Sequence, residues 1–385
     1  MTRCWMAETH LAINPLGQVG PCCRHSGKTT GVDLGSQPIS NIFEDPALVS
    51  IRNDLKNGIQ IKECSKCWFE EKKSNRQSMR QYNNAGKDFS TLNNLSPADR
   101  IHSLEIAFSN HCNYRCRHCD SLSSSKWYKE DILLGRPVNN KPLLEPDIEA
   151  FNIEGLKNLT HVKLLGGEPL INKNHDKFLK KLNDMDILKN VFLEYVTNGS
   201  IWPSDDIVNL WKKARKLRII ISLDDVEEQF DYFRTDGNFN TVKDTLEKFT
   251  QLYLDNRKQV TLGLHCVVNV LNLRRMSYIV KYMNYNLPHW QYTFDKIKSP
   301  VYLRTSQWSI NDAQQQIIDL EVIKNNTFFN GPKKRNIQNL INIINHECVN
   351  EKTDLTSFFQ TNNILDHSRN TSLLDVHPYM EKYYV

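Results

Sequence analysis

The chain of 385 residues contains no uninterrupted apolar stretch of about 18 residues, the length a membrane-spanning helix requires. Its start, Met1-Thr2-Arg3-Cys4-Trp5, lacks the apolar core of a secretion signal. No internal repeat and no low-complexity tract interrupts it. Strong charge is missing too: a formal net charge of +5 is too weak at this length to demand a nucleic-acid partner and too weak to exclude one. With 39% hydrophobic and 24% charged residues, the composition is that of a water-exposed globular protein. Ten cysteines without a secretion signal point to metal ligation in a reducing compartment, so a cytoplasmic location is expected.

Cysteine is scarce after residue 119, because eight of the ten lie at or before it, in two groups. The second group is the triplet Cys112, Cys116 and Cys119, spaced C-x3-C-x2-C on one short segment. Four thiolates normally hold a cubane iron–sulfur cluster, so three on one loop leave an iron open to a substrate or cofactor. Zinc structural sites prefer four ligands in paired C-x2-C units and fit this triplet poorly. The first group is Cys4, Cys22, Cys23, Cys64 and Cys67. Gly17, Gly20 and Pro21 predict a hairpin that brings Cys4 and Cys22 to one end of a short ribbon, and Cys64-x2-Cys67 adds two thiolates from a tight loop. Zinc and an iron–sulfur cluster both suit such a set, and either Cys22 or Cys23 can complete it.

From about residue 100 short apolar runs alternate with longer helix-like segments, which predicts parallel strands joined by crossover helices. The expected strands are 103–108, 161–165, 191–196, 217–221, 260–268 and 290–298, each ending in polar residues. Six such units describe an α/β fold, a partial (β/α)6 barrel, whose strand ends share one mouth. The first strand runs into the cysteine triplet, and the second ends in Gly166-Gly167-Glu168-Pro169, where two glycines allow the backbone to lie close against a ligand.

The triplet followed by Gly-Gly-Glu at the next strand end resembles the radical S-adenosylmethionine (radical SAM) enzymes. The resemblance implies a [4Fe–4S] cluster on Cys112, Cys116 and Cys119, whose open iron chelates S-adenosyl-L-methionine and reductively cleaves it to a 5′-deoxyadenosyl radical. It further implies that Glu168, beside Gly166 and Gly167, accepts hydrogen bonds from the cofactor ammonium. By the same resemblance Ser222 and Asp224 lie near the ribose, Arg234 faces the cofactor carboxylate, and Asn198 contacts methionine or adenosine. His118 occupies a place where relatives usually carry a large aromatic that packs on the adenine. The N-terminal cysteines resemble a twitch domain, the half-length form of the SPASM domain, here preceding the barrel instead of following it. In that reading Cys4, Cys22, Cys64 and Cys67 hold an auxiliary [4Fe–4S] cluster. The expected organisation is a cluster domain over 1–95, the barrel over 96–305 and a helical C-terminal extension over 306–385 that packs on the barrel.

An electron donor such as a flavodoxin or ferredoxin is implied, and a peptide or protein side chain is the favoured substrate. RNA, a nucleotide or a small metabolite is the alternative, and a non-enzymatic metal-binding scaffold a third reading. For nucleic acid the supporting feature is the basic run Lys56, Lys62, Lys66, Lys72, Lys73, Arg76 and Arg80 with Trp68 and Phe69, against which stands a merely solvated helix face. Cys266 and Cys348 read as inert core thiols. Helices are expected over 311–323 and 336–346.

Overall fold

The computed structural model describes residues 2–27, 37–73, 77–138, 152–153, 155–326 and 331–384. Its strands are β1 (His10–Ile13), β2 (Val19–Gly20), β3 (Ser103–Ala107), β4 (Arg115–Cys116), β5 (His161–Leu165), β6 (Phe192–Thr197), β7 (Lys216–Ser222), β8 (Arg234–Thr235), β9 (Val260–Val268) and β10 (Gln291–Lys296). Eight of them form one mainly parallel sheet in the order β10-β9-β7-β6-β5-β3-β1-β2, and β4 pairs with β8 in a separate ribbon. The six strands expected from apolar alternation are all present, within two residues of their predicted ends.

The other two strands of the sheet come from the N-terminus. The hairpin expected around Gly17 forms, with Gly17 at φ +69°, and β2 runs antiparallel to β1. Its other neighbour was not foreseen: β1 lies parallel to β3, His10 opposite Ser103 and Ile13 opposite Ile106. The chain divides into two compact units, each built from more than one stretch of sequence. Unit 1 is Met1–His111, Asn140–Tyr195 and Pro203–Leu217; unit 2 is Cys112–Asn139, Val196–Trp202 and Arg218–Val385. Backbone pairing between β1 and β3 ties the first cysteine group to the sheet, which a reading of separate sequence segments cannot detect.

In unit 1 the sheet has two unlike faces. Leu11, Leu104, Ile106, Val162, Leu164 and Leu193 are fully buried on one face. On that side Phe108 meets Phe178 of the helix Lys173–Asp184, and the Tyr195 hydroxyl is shared by His175 Nε2 (2.7 Å) and Trp211 Nε1 (2.9 Å). The alternate positions carry His10, Ser103, Glu105, His161 and Lys163, because side chains of a strand point to opposite faces in turn. In unit 2 the helices Ile310–Asn325 and Gly331–Glu347 extend the predicted pair by a few residues, and Asn336 Nδ2 ties the second to the Tyr292 carbonyl of β10 at 2.6 Å. A further helix, Thr356–Arg369, follows. No helix among the described residues is long and apolar enough to cross a membrane.

Candidate functional site

In unit 2 the cysteine loop is folded by the small ribbon: β4 and β8 run antiparallel, with Cys116 opposite Arg234 and Arg115 opposite Thr235. Backbone bonds extend the pairing, Arg117 N donating to the Phe233 carbonyl and Cys119 N to that of Cys116, both at 2.9 Å. Trp127 Nε1 donates to the same Cys116 carbonyl at 2.9 Å. Cys112 and Cys116 are buried and Cys119 is half-buried. Burial, reinforced by the neighbouring thiols of the triplet, pushes Cys116 up to about 11 and Cys119 well above the ordinary thiol range.

The donor set fits an iron–sulfur cluster, since soft thiolates suit iron and a buried thiol gives up its proton when a cation takes its place. Among the described residues no three His, Cys, Asp or Glu side chains stand in metal-binding geometry.

The structure brings several of the predicted residues to this loop. Arg234 and Asp224 pair with each other: Nη2 donates to Asp224 Oδ2 at 2.5 Å, and both side chains are almost fully buried. Arg234 Nη1 also lies 3.6 Å from Cys116 Sγ. Asp224 Oδ1 accepts from Val267 N at 2.8 Å. Asn198 directs Nδ2 at Asn113 Oδ1 (2.8 Å) and at Cys112 Sγ (4.0 Å), while its Oδ1 accepts from the Ser200 amide. His118 stacks on Phe233, centroids 5.2 Å apart and planes 17° apart, and burial lowers its pKa to about 4. Ser222 is half-buried at the end of β7. Asn269 and Asn272 bond to Leu271, Val267 and Asp224 and so serve the turn's own backbone. Cys266 is fully buried against the Asp224 carbonyl, as an inert core thiol would be.

Sequence reasoning missed the residues that fasten this loop. Arg117, fully buried, donates to Tyr232 O (3.1 Å), Asn362 Oδ1 (2.8 Å) and Asp366 Oδ1 (2.5 Å) and lies 3.7 Å from the Tyr232 ring centroid. Arg369 grips Glu130 through Nε and Nη2 at 2.8 and 2.5 Å and reaches Thr235 Oγ1 at 2.9 Å. The helix Thr356–Arg369 is thereby clamped to Arg117, between Cys116 and Cys119, and to Glu130 beyond them. The only sequence signal is arginine within the triplet itself, and its partners lie some 250 residues away.

In unit 1, Gly166 (φ +84°) and Gly167 (φ +55°) are held where only glycine fits. A Cβ on Gly166 would meet Ala107 Cβ at 2.2 Å, and one on Gly167 would meet the His111 carbonyl at 2.1 Å. Both glycines thus lie close against the backbone that leads into Cys112. Glu168 N donates to the same His111 carbonyl at 2.8 Å. The buried Glu168 carboxylate caps the following turn by accepting from Leu170 N at 3.1 Å.

The first cysteine group also gathers in unit 1. Cys4 and Cys64 pack against the core of Ala7, Leu55 and Trp68. Burial pushes Cys22 up to about 11 and Cys64 up to about 12, with Cys4 and Cys67 adding to the effect on both. Cys23, also pushed up to about 11 by burial, interacts instead with Glu105 and Lys163, the ion pair on the polar face of β3 and β5. Trp68 is buried, its Nε1 bonded to the Ile61 carbonyl, so it cannot serve as a base-stacking platform. Arg80 is bound to Glu71 and covers the Trp68 ring at 4.7 Å. Lys56, Lys62, Lys66 and Lys72 form an exposed face, whereas Arg76 and the Lys73 side chain lie outside the described residues.

Residues 106–280 match the family model described as the radical SAM superfamily, and residues 4–68 match SPASM, an iron–sulfur cluster-binding domain. The chain is 25% identical over 242 residues to the radical SAM cyclopropyl synthase TigE of Paramaledivibacter caminithermalis, covering 60% of this chain and 48% of that one. It is 28% identical over 184 residues to the GTP 3′,8-cyclase of Aliarcobacter butzleri, covering 46% and 49%. It therefore spans about half the length of the curated relatives it matches. Native anSMEcpe with bound AdoMet aligns over 58% of this chain and 59% of its own, at 18% identity and a TM-score of 0.40.

Proposed function

We propose that this radical SAM enzyme, with its radical-generating domain over residues 106–280 and its SPASM-type domain over 4–68, modifies a peptide or protein side chain. The observation that carries the reading is the presence of two separate thiol groups, the triplet in unit 2 and the N-terminal set in unit 1, in one chain. A second cluster in the same chain as a radical centre suits reactions that leave an electron on the substrate, because the cluster can accept it.

Cys112, Cys116 and Cys119 would hold the first [4Fe–4S] cluster, and Cys4, Cys22, Cys64 and Cys67 the second. When bound, the first cluster and S-adenosyl-L-methionine supply a 5′-deoxyadenosyl radical for hydrogen-atom abstraction. The chain's own residues bind and orient. Glu168 is the residue proposed to accept from the cofactor ammonium; its own amide donates to the His111 carbonyl, which Gly167 also approaches closely. Ser222 and Asn198 at their strand ends are the polar contacts proposed for the ribose and methionine. His118, neutral and stacked on Phe233, offers an apolar wall for the adenine. The polar face of β3 and β5, where His161 and Lys163 are half-buried, is the surface proposed to receive substrate.

A nucleotide substrate is the second reading, favoured by the match to the GTP 3′,8-cyclases. The two are separated by anaerobic assays of reconstituted protein with deuterium-labelled peptide and nucleotide fractions. Deuterium in 5′-deoxyadenosine from the peptide fraction supports the first reading, and label from the nucleotide fraction alone sinks it. Formation of no 5′-deoxyadenosine at all under dithionite would remove the enzymatic assignment altogether.

A further inference from the structure

Arg234 and Asp224, placed by family resemblance at the cofactor, are turned toward the cysteine loop. The ribbon of β4 and β8 sets Arg234 directly across from Cys116, and Gly237 N holds the turn after it by donating to the Arg234 carbonyl at 2.7 Å. The guanidinium is then used in two directions. Nη2 is anchored on Asp224, and Nη1 points at Cys116 Sγ from 3.6 Å. Asp224 cannot swing away, since its other oxygen is bound to Val267 N and its carbonyl accepts from Asn272 Nδ2, both at 2.8 Å. A charged N–H donor next to a ligating sulfur stabilises the extra negative charge of a reduced cluster, as outer hydrogen bonds do at metal sites in general.

We propose that Arg234 is a positioning residue for the cluster, which raises its reduction potential through Cys116, and that Asp224 holds and moderates that charge. The inference rests on the assignment of the cluster to Cys112, Cys116 and Cys119. It predicts effects of opposite sign for the two members of one ion pair. Loss of the cation disfavours the reduced state, and loss of the anion favours it. A role in packing alone gives no such reversal, and contact with the cofactor carboxylate acts on affinity instead. The Nε of Arg234, buried without a hydrogen-bond partner, is the atom through which that competing role would operate.

The test uses the full chain, reconstituted anaerobically, with the reduced cluster followed by electron paramagnetic resonance during a redox titration. Arg234→Gln is expected to shift the reduction equilibrium downward about tenfold, which is 59 mV for one electron. Asp224→Asn is expected to shift it upward, and S-adenosylmethionine affinity, read from the change in the same spectrum, should stay within about threefold in both. An unchanged potential with a tenfold loss of affinity in Arg234→Gln would return the residue to the cofactor. Shifts of the same sign in both variants would also overturn the proposal. If Arg234→Gln fails to load iron, Arg234→Lys replaces it: a potential below that of the parent supports the role, and one identical to the parent opposes it. Cys116→Ala tests the underlying assignment separately: the reduced signal that changes on adding S-adenosylmethionine should vanish, and its survival in that variant would sink the cluster assignment whatever the Arg234 variants do.

Discussion

Cys22 and Cys23 are adjacent and chemically identical, yet their surroundings differ. Cys22 shares its environment with Cys4, Cys64 and Cys67, whereas Cys23 interacts with Glu105 and Lys163. Cys22→Ser should therefore lose the metal of the N-terminal site and Cys23→Ser should keep it, as measured by iron and zinc content of the two purified variants. Equal losses would show that the pair is interchangeable. Gly167 is a second single-residue test. Alanine there must take a positive φ and place its Cβ 2.1 Å from the His111 carbonyl, so Gly167→Ala should cost about 2 kcal/mol or more in urea unfolding. Both cysteines and the glycine stand out in the sequence, but what each glycine touches does not. The motif suggests a close approach, and on the side where a Cβ would stand each glycine meets the chain's own atoms.

The helix Thr356–Arg369 acts as an element through two buried arginine–carboxylate pairs, one with each charge supplied by the helix: Asp366 binds Arg117 and Arg369 binds Glu130. Its end is closed by Asn370 in the left-handed region at φ +53°, after which Thr371 N returns to the Asp366 carbonyl at 3.0 Å. Removing one partner of such a pair leaves an uncompensated buried charge, so Asp366→Ala should cost about 3–5 kcal/mol by urea unfolding. Asp366→Ala should also reduce iron loading of the triplet, whereas an unchanged unfolding midpoint would show that the clamp carries no load. The strands were legible because burial on one face imposes a period of two, and the helices 310–325 and 331–347 because a polar face repeats. The clamp was not, because an ion pair 249 residues apart in sequence leaves no local pattern.

At the scale of the whole molecule, buried neutral histidines contribute to the response to acid. Burial lowers His10 and His377 to about 3, with His161 and then Lys163 adding to it at His10, and Arg275 and Arg117 at His377. Their folded pKa values lie below the unfolded value near 6.5, so the unfolded chain binds more protons in acid. The stability from keeping them neutral is present above about pH 6.5 and is lost as pH falls toward 3, at about 1.4 kcal/mol per pH unit for each histidine. Denaturant midpoints should fall between pH 7.5 and 5.5, and His10→Phe should flatten that fall. A variant with the parent's slope would exclude His10 as a source.

The sequence by itself determined the α/β class, six strands of the sheet and the identity of the thiols, because alternation and cysteine spacing are local properties that survive in a linear string. Tertiary structure alone decided that β1 joins β3, that Cys22 and Cys23 part company, and that Arg234 meets Cys116. Each of these depends on segments far apart in the chain being brought within a few ångströms by backbone pairing and burial, and neither composition nor periodicity encodes which segments those are.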